Sequence, residues 1–288
     1  MRFVTYNIQY SKGRDGSHDL GRIADAVDGA DVIFLQEVVR NVDGVPDRDQ
    51  PSRLGDLLPR HYWVYGPCVN QDASTCDEDG TVHNRRRQFG NMVLSRWPIL
   101  SSRLLLLPRV RTYDIASGQR GVLEAIVDAP AGPLRVYSLH LGHINQRQRT
   151  IEIRNLLPLL FAVPGEGASF TGPDWLGFGQ SPTPTDFVVM GDFNLKPDSA
   201  EYHEIVGEAY YFYGSSLAGD RLADTWTLAG NQITDGATWC DDRGDPDGGI
   251  KLDFGFVSPG LASKVTSVWV DTEAAGSDHQ PIWFELAD

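Results

Sequence analysis

The chain has 288 residues, 41% hydrophobic and 22% charged, with a formal net charge of −14. That is enough apolar material for a sizeable core, and a field that opposes non-specific binding to long nucleic acid, which depends on neutralising phosphates with Lys and Arg. No run of about 18 apolar residues occurs and residues 3–8 already read as strand, so neither a membrane span nor a signal peptide is expected, and the cytoplasm is the expected location. The three cysteines, Cys68, Cys76 and Cys240, lack the spacing of a zinc site or a disulfide framework and read as thiols, with a Cys68–Cys76 pairing as the alternative.

Apolar runs at 3–8, 31–36, 89–94, 104–107, 122–127, 134–139, 187–190, 252–257, 265–270 and 281–286 predict ten short strands. Leu20, Ile23, Ala24 and Val27 follow helical spacing. Asn145 is placed to cap a second helix with Ile153, Leu156, Leu157 and Leu160 on one face, which Pro158 should kink or end. A shorter helix should begin at Asp198 or Ser199, after Pro197. Four aperiodic segments rich in Gly, Pro or Asp, 42–53, 70–88, 165–185 and 236–249, read as loops expected to frame a substrate site. One domain covering 1–288 and a monomer are expected.

Polar residues interrupt these apolar strands at a few places. Glu37 follows the run Asp31-Val32-Ile33-Phe34-Leu35-Gln36, and His140 ends Tyr137-Ser138-Leu139. Gly191-Asp192-Phe193-Asn194 follows Val188-Val189-Met190, Asp253 sits inside 252–257, and Ser277-Asp278-His279 precedes the last strand. Each has an ordinary explanation alone: a strand-end acid, a satisfied core histidine, a turn. A buried aspartate such as Asp253 would need a partner.

Five of these motifs occur in a telling order: Tyr6-Asn7, Leu35-Gln36-Glu37, Ser138-Leu139-His140, Gly191-Asp192-Phe193-Asn194 and Ser277-Asp278-His279. In that order the chain resembles the endonuclease/exonuclease/phosphatase superfamily, which includes DNase I, abasic-site endonucleases, bacterial sphingomyelinases and inositol-polyphosphate phosphatases. Gly90-Asn91, the run Leu94-Ser95-Arg96-Trp97-Pro98-Ile99 and His140 resemble the phosphatase and sphingomyelinase side more than the abasic-site endonucleases, which have an aspartate where Gln9 stands.

The resemblance implies an α/β fold, a four-layer α/β/β/α sandwich of two packed, mainly antiparallel sheets. It also implies hydrolysis of a phosphoester by in-line attack of an activated water with Mg²⁺ or Mn²⁺, or Ca²⁺ in their place. Glu37 would be the principal metal ligand, with Asn7 and Asp278 beside it, a sparse oxygen set of the kind Mg²⁺ accepts. Asp192 would orient or deprotonate the water, and Asn194 would hold that water and a phosphate oxygen. His279 would contact the phosphate with Asp253 accepting its other ring proton, and Asn7 and Asn91 would line the phosphate pocket. His140 would be a second phosphate contact or the general acid.

The acidic charge points to a small molecule or a lipid headgroup as substrate, preferably a diester, with a DNase I-like nuclease as the alternative and a non-catalytic binding module as a reading of another class. Arg85-Arg86-Arg87 is a local basic run with a solvated loop as its simpler explanation. A zinc hydrolase is disfavoured because His140 and His143 are the nearest histidine pair, and a calcium loop at Asp241, Asp242, Asp245 and Asp247 lacks the alternating pattern of an EF-hand.

Overall fold

In a computed structural model the chain is described over residues 1–240 and 249–287. The four aspartates 241, 242, 245 and 247 lie outside the described residues. Two six-stranded sheets carry the fold. In the first, Val265–Val270, Ile282–Leu286, Arg2–Asn7, Val32–Arg40, Arg86–Ser95 and Tyr62–Asp72 lie side by side. In the second, the order is Ala223–Asp224, Asp253–Val257, Phe187–Asp192, Gly132–His140, Gly121–Ala129 and Ile99–Leu106. Pairing is antiparallel except at Arg2–Asn7 with Val32–Arg40 and at Phe187–Asp192 with Gly132–His140.

The period-two alternation of side chains sorts the apolar residues into three layers of core. Phe3, Val32, Phe34 and Val93 meet Leu123, Ala125, Val136, Val188 and Met190 between the sheets. Val4, Tyr6, Ile33 and Leu35 face outward, under Leu20, Ile23, Val27 and Leu54 of the helices Leu20–Val27 and Gln50–Leu57. Tyr137, Leu139, Val189 and Phe256 are covered by Ile153, Leu156, Leu160 and Ile205 of the helices Gln146–Glu166 and Ala200–Val206. This is the four-layer α/β/β/α sandwich.

Three expectations change. The helix capped by Asn145 runs to Glu166, through both Pro158 and Pro164, instead of ending near Pro158. Leu160 and Val163 are buried beyond the first proline, and burying two such side chains stabilises by about 3–6 kcal/mol, which offsets the roughly 3 kcal/mol that Pro158 costs. Residues 42–53 are not all loop, because Asp49 accepts from the Ser52 amide and caps Gln50–Leu57 with Pro51 in its first turn. An eleven-residue strand, Tyr62–Asp72, went unpredicted. It forms the edge of its sheet, where Pro67 sits at an irregularity in the pairing, and a proline is tolerated there because one backbone face has no partner. Its far end pairs with Arg86–Ser95 across residues expected to be loop, and Cys68 and Cys76 are not bridged.

Candidate active site

The two parallel pairs bring polar strand ends to one rim of the sandwich. Register sets Asn7 beside Gln36 in the first sheet and Asp192 beside His140 in the second, and the antiparallel neighbour sets Asp253 beside Asp192. Glu37 follows Gln36 where the pairing slips between Leu35 and Val38, with φ of 60°. The slip turns two consecutive side chains to one side of the sheet: Gln36 reaches across to the second sheet while Glu37 lines the cleft. Gly191 precedes Asp192 because a Cβ there would lie 1.9 Å from the Leu139 carbonyl oxygen.

The resulting cleft, about 680 Å³, is lined by Asn7, Glu37, Arg120, His140, Asp192, Asn194, Asp278 and His279, with Phe89 and Trp239 as aromatic walls. Asp192 is its hub. One carboxylate oxygen accepts from the Asn7 amide at 2.9 Å and lies 3.4 Å from His140 Nε2 and 3.8 Å from His279 Nε2. The other accepts from the Asn194 backbone N–H at 2.9 Å, and the Asn194 side chain donates to the Leu141 carbonyl at 3.1 Å. Burial, reinforced by the nearby Asp253 charge and opposed by His279, pushes the Asp192 carboxyl up to about 7.

His279 and His140 sit in opposite environments. Nδ1 of His279 is 2.7 Å from the buried Asp253 carboxylate, whose own backbone N–H donates to Thr238 Oγ1. Burial disfavours the imidazolium, but Asp253 and Asp192 outweigh it and push His279 up to about 10. His140 is equally buried but has cationic Arg120 behind it, and burial together with Arg120 holds it well below the ordinary histidine value. For Glu37, burial raises the carboxyl while Arg120 and His279 oppose the rise.

Glu37 and Asn7 offer oxygen ligands at the cleft, which fits the chemistry of a hard cation such as Mg²⁺ or Mn²⁺. The Asn7 carbonyl oxygen already accepts from the Gln9 N–H but keeps a second lone pair. Asp278 is more committed, one carboxylate oxygen accepting from both Gln9 Nε2 at 2.9 Å and Trp239 Nε1 at 3.2 Å. Asp192, Asp253 and His279 also hold ligand atoms within 4.8 Å of one another. The short Asp253–His279 hydrogen bond accounts for the closeness of two of them, and Asp192 Oδ2 lies 3.8 Å from Nε2 of the same ring.

Of the residues singled out in the sequence, Asn7, Glu37, His140, Asp192, Asn194, Asp278 and His279 meet at the cleft, with Asp253 behind His279. Asn91 does not. It is 1% exposed, and its amide nitrogen donates to the Gly121 and Ser138 carbonyls, both at 3.0 Å, bolting one sheet to the other. Gln36 and Ser138 complete the same bolt, with Gln36 Nε2 donating to Ser138 Oγ at 3.0 Å and Thr5 donating to Gln36. Of the four expected loops, 236–249 reaches the cleft, through Trp239; a different connection supplies Ala116, Ser117, Gly118 and Arg120. The basic run is largely neutralised: Arg87 pairs with Asp43 and Arg86 with Asp72. Arg120 and Trp239 were missed, and nothing in their local sequence marks them; Gln9, noted only as a departure from the abasic-site endonucleases, proves to hold Asp278.

A family model described as the endonuclease/exonuclease/phosphatase family matches residues 4–279. Comparison with curated proteins finds no match. Among solved structures, the mannosyl-6-phosphatase Bt3783 of Bacteroides thetaiotaomicron VPI-5482 is similar over all of both chains, with a TM-score of 0.69 and 16% identity. An endonuclease/exonuclease/phosphatase from Beutenbergia cavernae DSM 12333 is similar over 99% of this chain and 70% of its own, with a TM-score of 0.65 and 23% identity. The 3′ phosphatase NExo from Neisseria, bound to a product DNA hairpin, matches over all of both chains with a TM-score of 0.61 and 16% identity. These likenesses establish the fold, and the match across 4–279 establishes the lineage: this chain belongs to the endonuclease/exonuclease/phosphatase family.

Proposed function

We propose that this protein is a Mg²⁺- or Mn²⁺-dependent phosphoesterase acting on a small molecule or lipid headgroup, with a phosphodiester as the preferred substrate. Family membership supports phosphoester hydrolysis in general, since members are usually hydrolases of such bonds. The observation that carries the finer reading is the cleft itself, where a buried carboxylate, Asp192, faces a histidine paired to an acid and a histidine paired to an arginine.

The reaction needs an aimed water, neutralisation of the phosphoryl oxygens and a proton for the leaving group. Asp192, pushed up to about 7, is matched to accepting a proton from water near neutral pH. The Asn194 backbone and side chain anchor the turn that holds it. His279, backed by Asp253, offers a positive ring to the phosphoryl group. A cation held by Glu37 and Asn7 would supply further neutralisation of the phosphoryl oxygens.

Two observations favour a small substrate. The cleft volume lies in the range of small-molecule sites. The net charge is −14, and Asp43 and Asp72 occupy the arginines that would otherwise extend a basic track. The test is a panel of bis-p-nitrophenyl phosphate, p-nitrophenyl phosphate, p-nitrophenyl phosphorylcholine and supercoiled plasmid, offered to metal-stripped protein with Mg²⁺, Mn²⁺ or Ca²⁺ restored singly. Metal-dependent diester hydrolysis without nicking is expected. Nicking would establish the nuclease reading, and failure on every substrate, with no cation binding in calorimetry, would favour a binding module.

A further inference from the structure

Arg120 is 6% exposed and lines the cleft, yet among the described residues no carboxylate lies within 4.0 Å of its guanidinium. Its polar partners are two histidines. Nη1 is 3.0 Å from Nδ1 of His140, and Nη2 is 2.9 Å from Nδ1 of His143. Backbone register creates this contact: Gly121 pairs with His140, which puts residue 120 just beyond the end of that pair. Gly121 itself admits no side chain, since a Cβ would come within 2.9 Å of the Leu105 carbonyl oxygen and 3.0 Å of Cys68 Sγ.

A guanidinium has N–H donors and no acceptor, and it keeps its proton in proteins. Each Nδ1 facing it must therefore present a lone pair. His140 then carries its proton on Nε2, the nitrogen that points at Asp192 Oδ2 and, at 4.0 Å, Glu37 Oε1. Protonating Nδ1 as well would set an N–H against the arginine. His279 is held the opposite way, its Nδ1 donating to Asp253 at 2.7 Å.

We propose that Arg120, with His143 as the second post of its clamp, is a positioning residue that locks His140 as the Nε2–H tautomer, making His140 a hydrogen-bond donor to a phosphoryl oxygen. The proposal rests on the phosphoesterase reading for the identity of the bound oxygen, but the tautomer itself does not. The clamp is braced from behind. The Gly142 N–H donates to Glu152 at 2.8 Å, Gln148 donates to the other oxygen of Glu152 at 2.8 Å, and Arg149 ties the Gly142 carbonyl to buried Glu201. The segment bearing His143 is thus fixed to the helix Gln146–Glu166, and Arg120 is held between two fixed acceptors.

Long-range ¹H–¹⁵N correlation on protein labelled in the histidine rings reads the tautomer directly, with His140 assigned by its loss in His140→Gln. The expected wild-type spectrum shows Nδ1 of His140 bare and Nε2 protonated between pH 6 and 8. In Arg120→Met the lock is lost and the ring becomes a mixture of the two neutral tautomers, whereas Arg120→Lys, which keeps a cationic donor, retains the wild-type tautomer. Where activity is measurable, Arg120→Met should lower kcat by about 10- to 100-fold with a smaller change in KM, and Arg120→Lys should recover part of it. Wild-type His140 protonated on Nδ1 would overturn the proposal, as would an unchanged tautomer in Arg120→Met. If Arg120→Met does not fold, the wild-type spectrum and Arg120→Lys still decide it. A locked tautomer in a protein that hydrolyses no phosphoester would instead leave the clamp standing and remove the assigned function.

Discussion

Asn91→Ala separates a structural bolt from a substrate ligand. The substitution deletes a buried amide whose two N–H groups reach the Gly121 and Ser138 carbonyls, each at 3.0 Å and each on the facing sheet. Both carbonyls lie in the paired ladder of that sheet and lose a second donor on the face toward Asn91. Each lost hydrogen bond costs about 0.5–1.5 kcal/mol, and the small cavity adds to that, so a loss of about 1–4 kcal/mol of folding stability is expected. Asn91→Asp should be worse, because it sets a carboxylate against two carbonyl oxygens. Urea unfolding followed by tryptophan fluorescence would show a lower midpoint with an unchanged slope. Since Asn91 does not line the cleft, KM for a working substrate should stay within about twofold of wild type at temperatures where the variant remains folded. Unchanged stability with a raised KM would refute the bolt and return Asn91 to the phosphate pocket.

Other consequences can be checked separately. Glu37→Ala should raise the Mg²⁺ or Mn²⁺ concentration needed for half-maximal activity, and an unchanged titration would remove Glu37 from the ligand set. Asp253→Asn keeps the shape behind His279 but removes its charge, so kcat should fall by about 100-fold or more, and wild-type turnover would exclude a catalytic part for the Asp253–His279 pair. Lys251 is 2% exposed, with Nζ 4.1 Å from the centroid of the Trp226 ring, and burial pushes it down to about 8 from 10.5. The unfolded chain therefore binds more protons between pH 8 and 10.5, so stability should rise with pH across that window. Lys251→Met should flatten this rise and stabilise the protein at pH 7 by about 2 kcal/mol, the roughly 3 kcal/mol of charge burial less about 1 for the lost ring contact. The gain should fade between pH 8 and 10.5 and be gone above that window, and a variant less stable than wild type at pH 7 would contradict the assignment.

Most residues that line the cleft could be picked out in the sequence because polar residues interrupt apolar strands at their ends, and because those interruptions follow the order of the family's motifs. Glu37, His140 and Asp192 are all of this kind, and each alone has an ordinary explanation. The same signal misled at Asn91, since a polar residue in an apolar strand can bolt two sheets as readily as it can face a ligand, and sequence does not say which side it takes. Gln36 and Ser138, read as parts of motifs, turn out to be the other halves of that bolt. Arg120 was illegible for a different reason: its role exists only once Gly121 is paired with His140, a contact set by the register of two strands. The edge strand Tyr62–Asp72 was hidden by Gly66 and Pro67, which an edge position accommodates, and the helix Gln50–Leu57 by a polar composition that leaves only Leu54 and Pro51 among its apolar residues buried.

The most direct test of the account is single-turnover hydrolysis of bis-p-nitrophenyl phosphate by metal-stripped wild type and Asp192→Ala, with Mg²⁺ or Mn²⁺ restored. Hydrolysis should appear only with the cation and fall by about two orders of magnitude or more in the variant, with the fold intact by circular dichroism. Cation-independent hydrolysis, or a variant as fast as wild type, would contradict it.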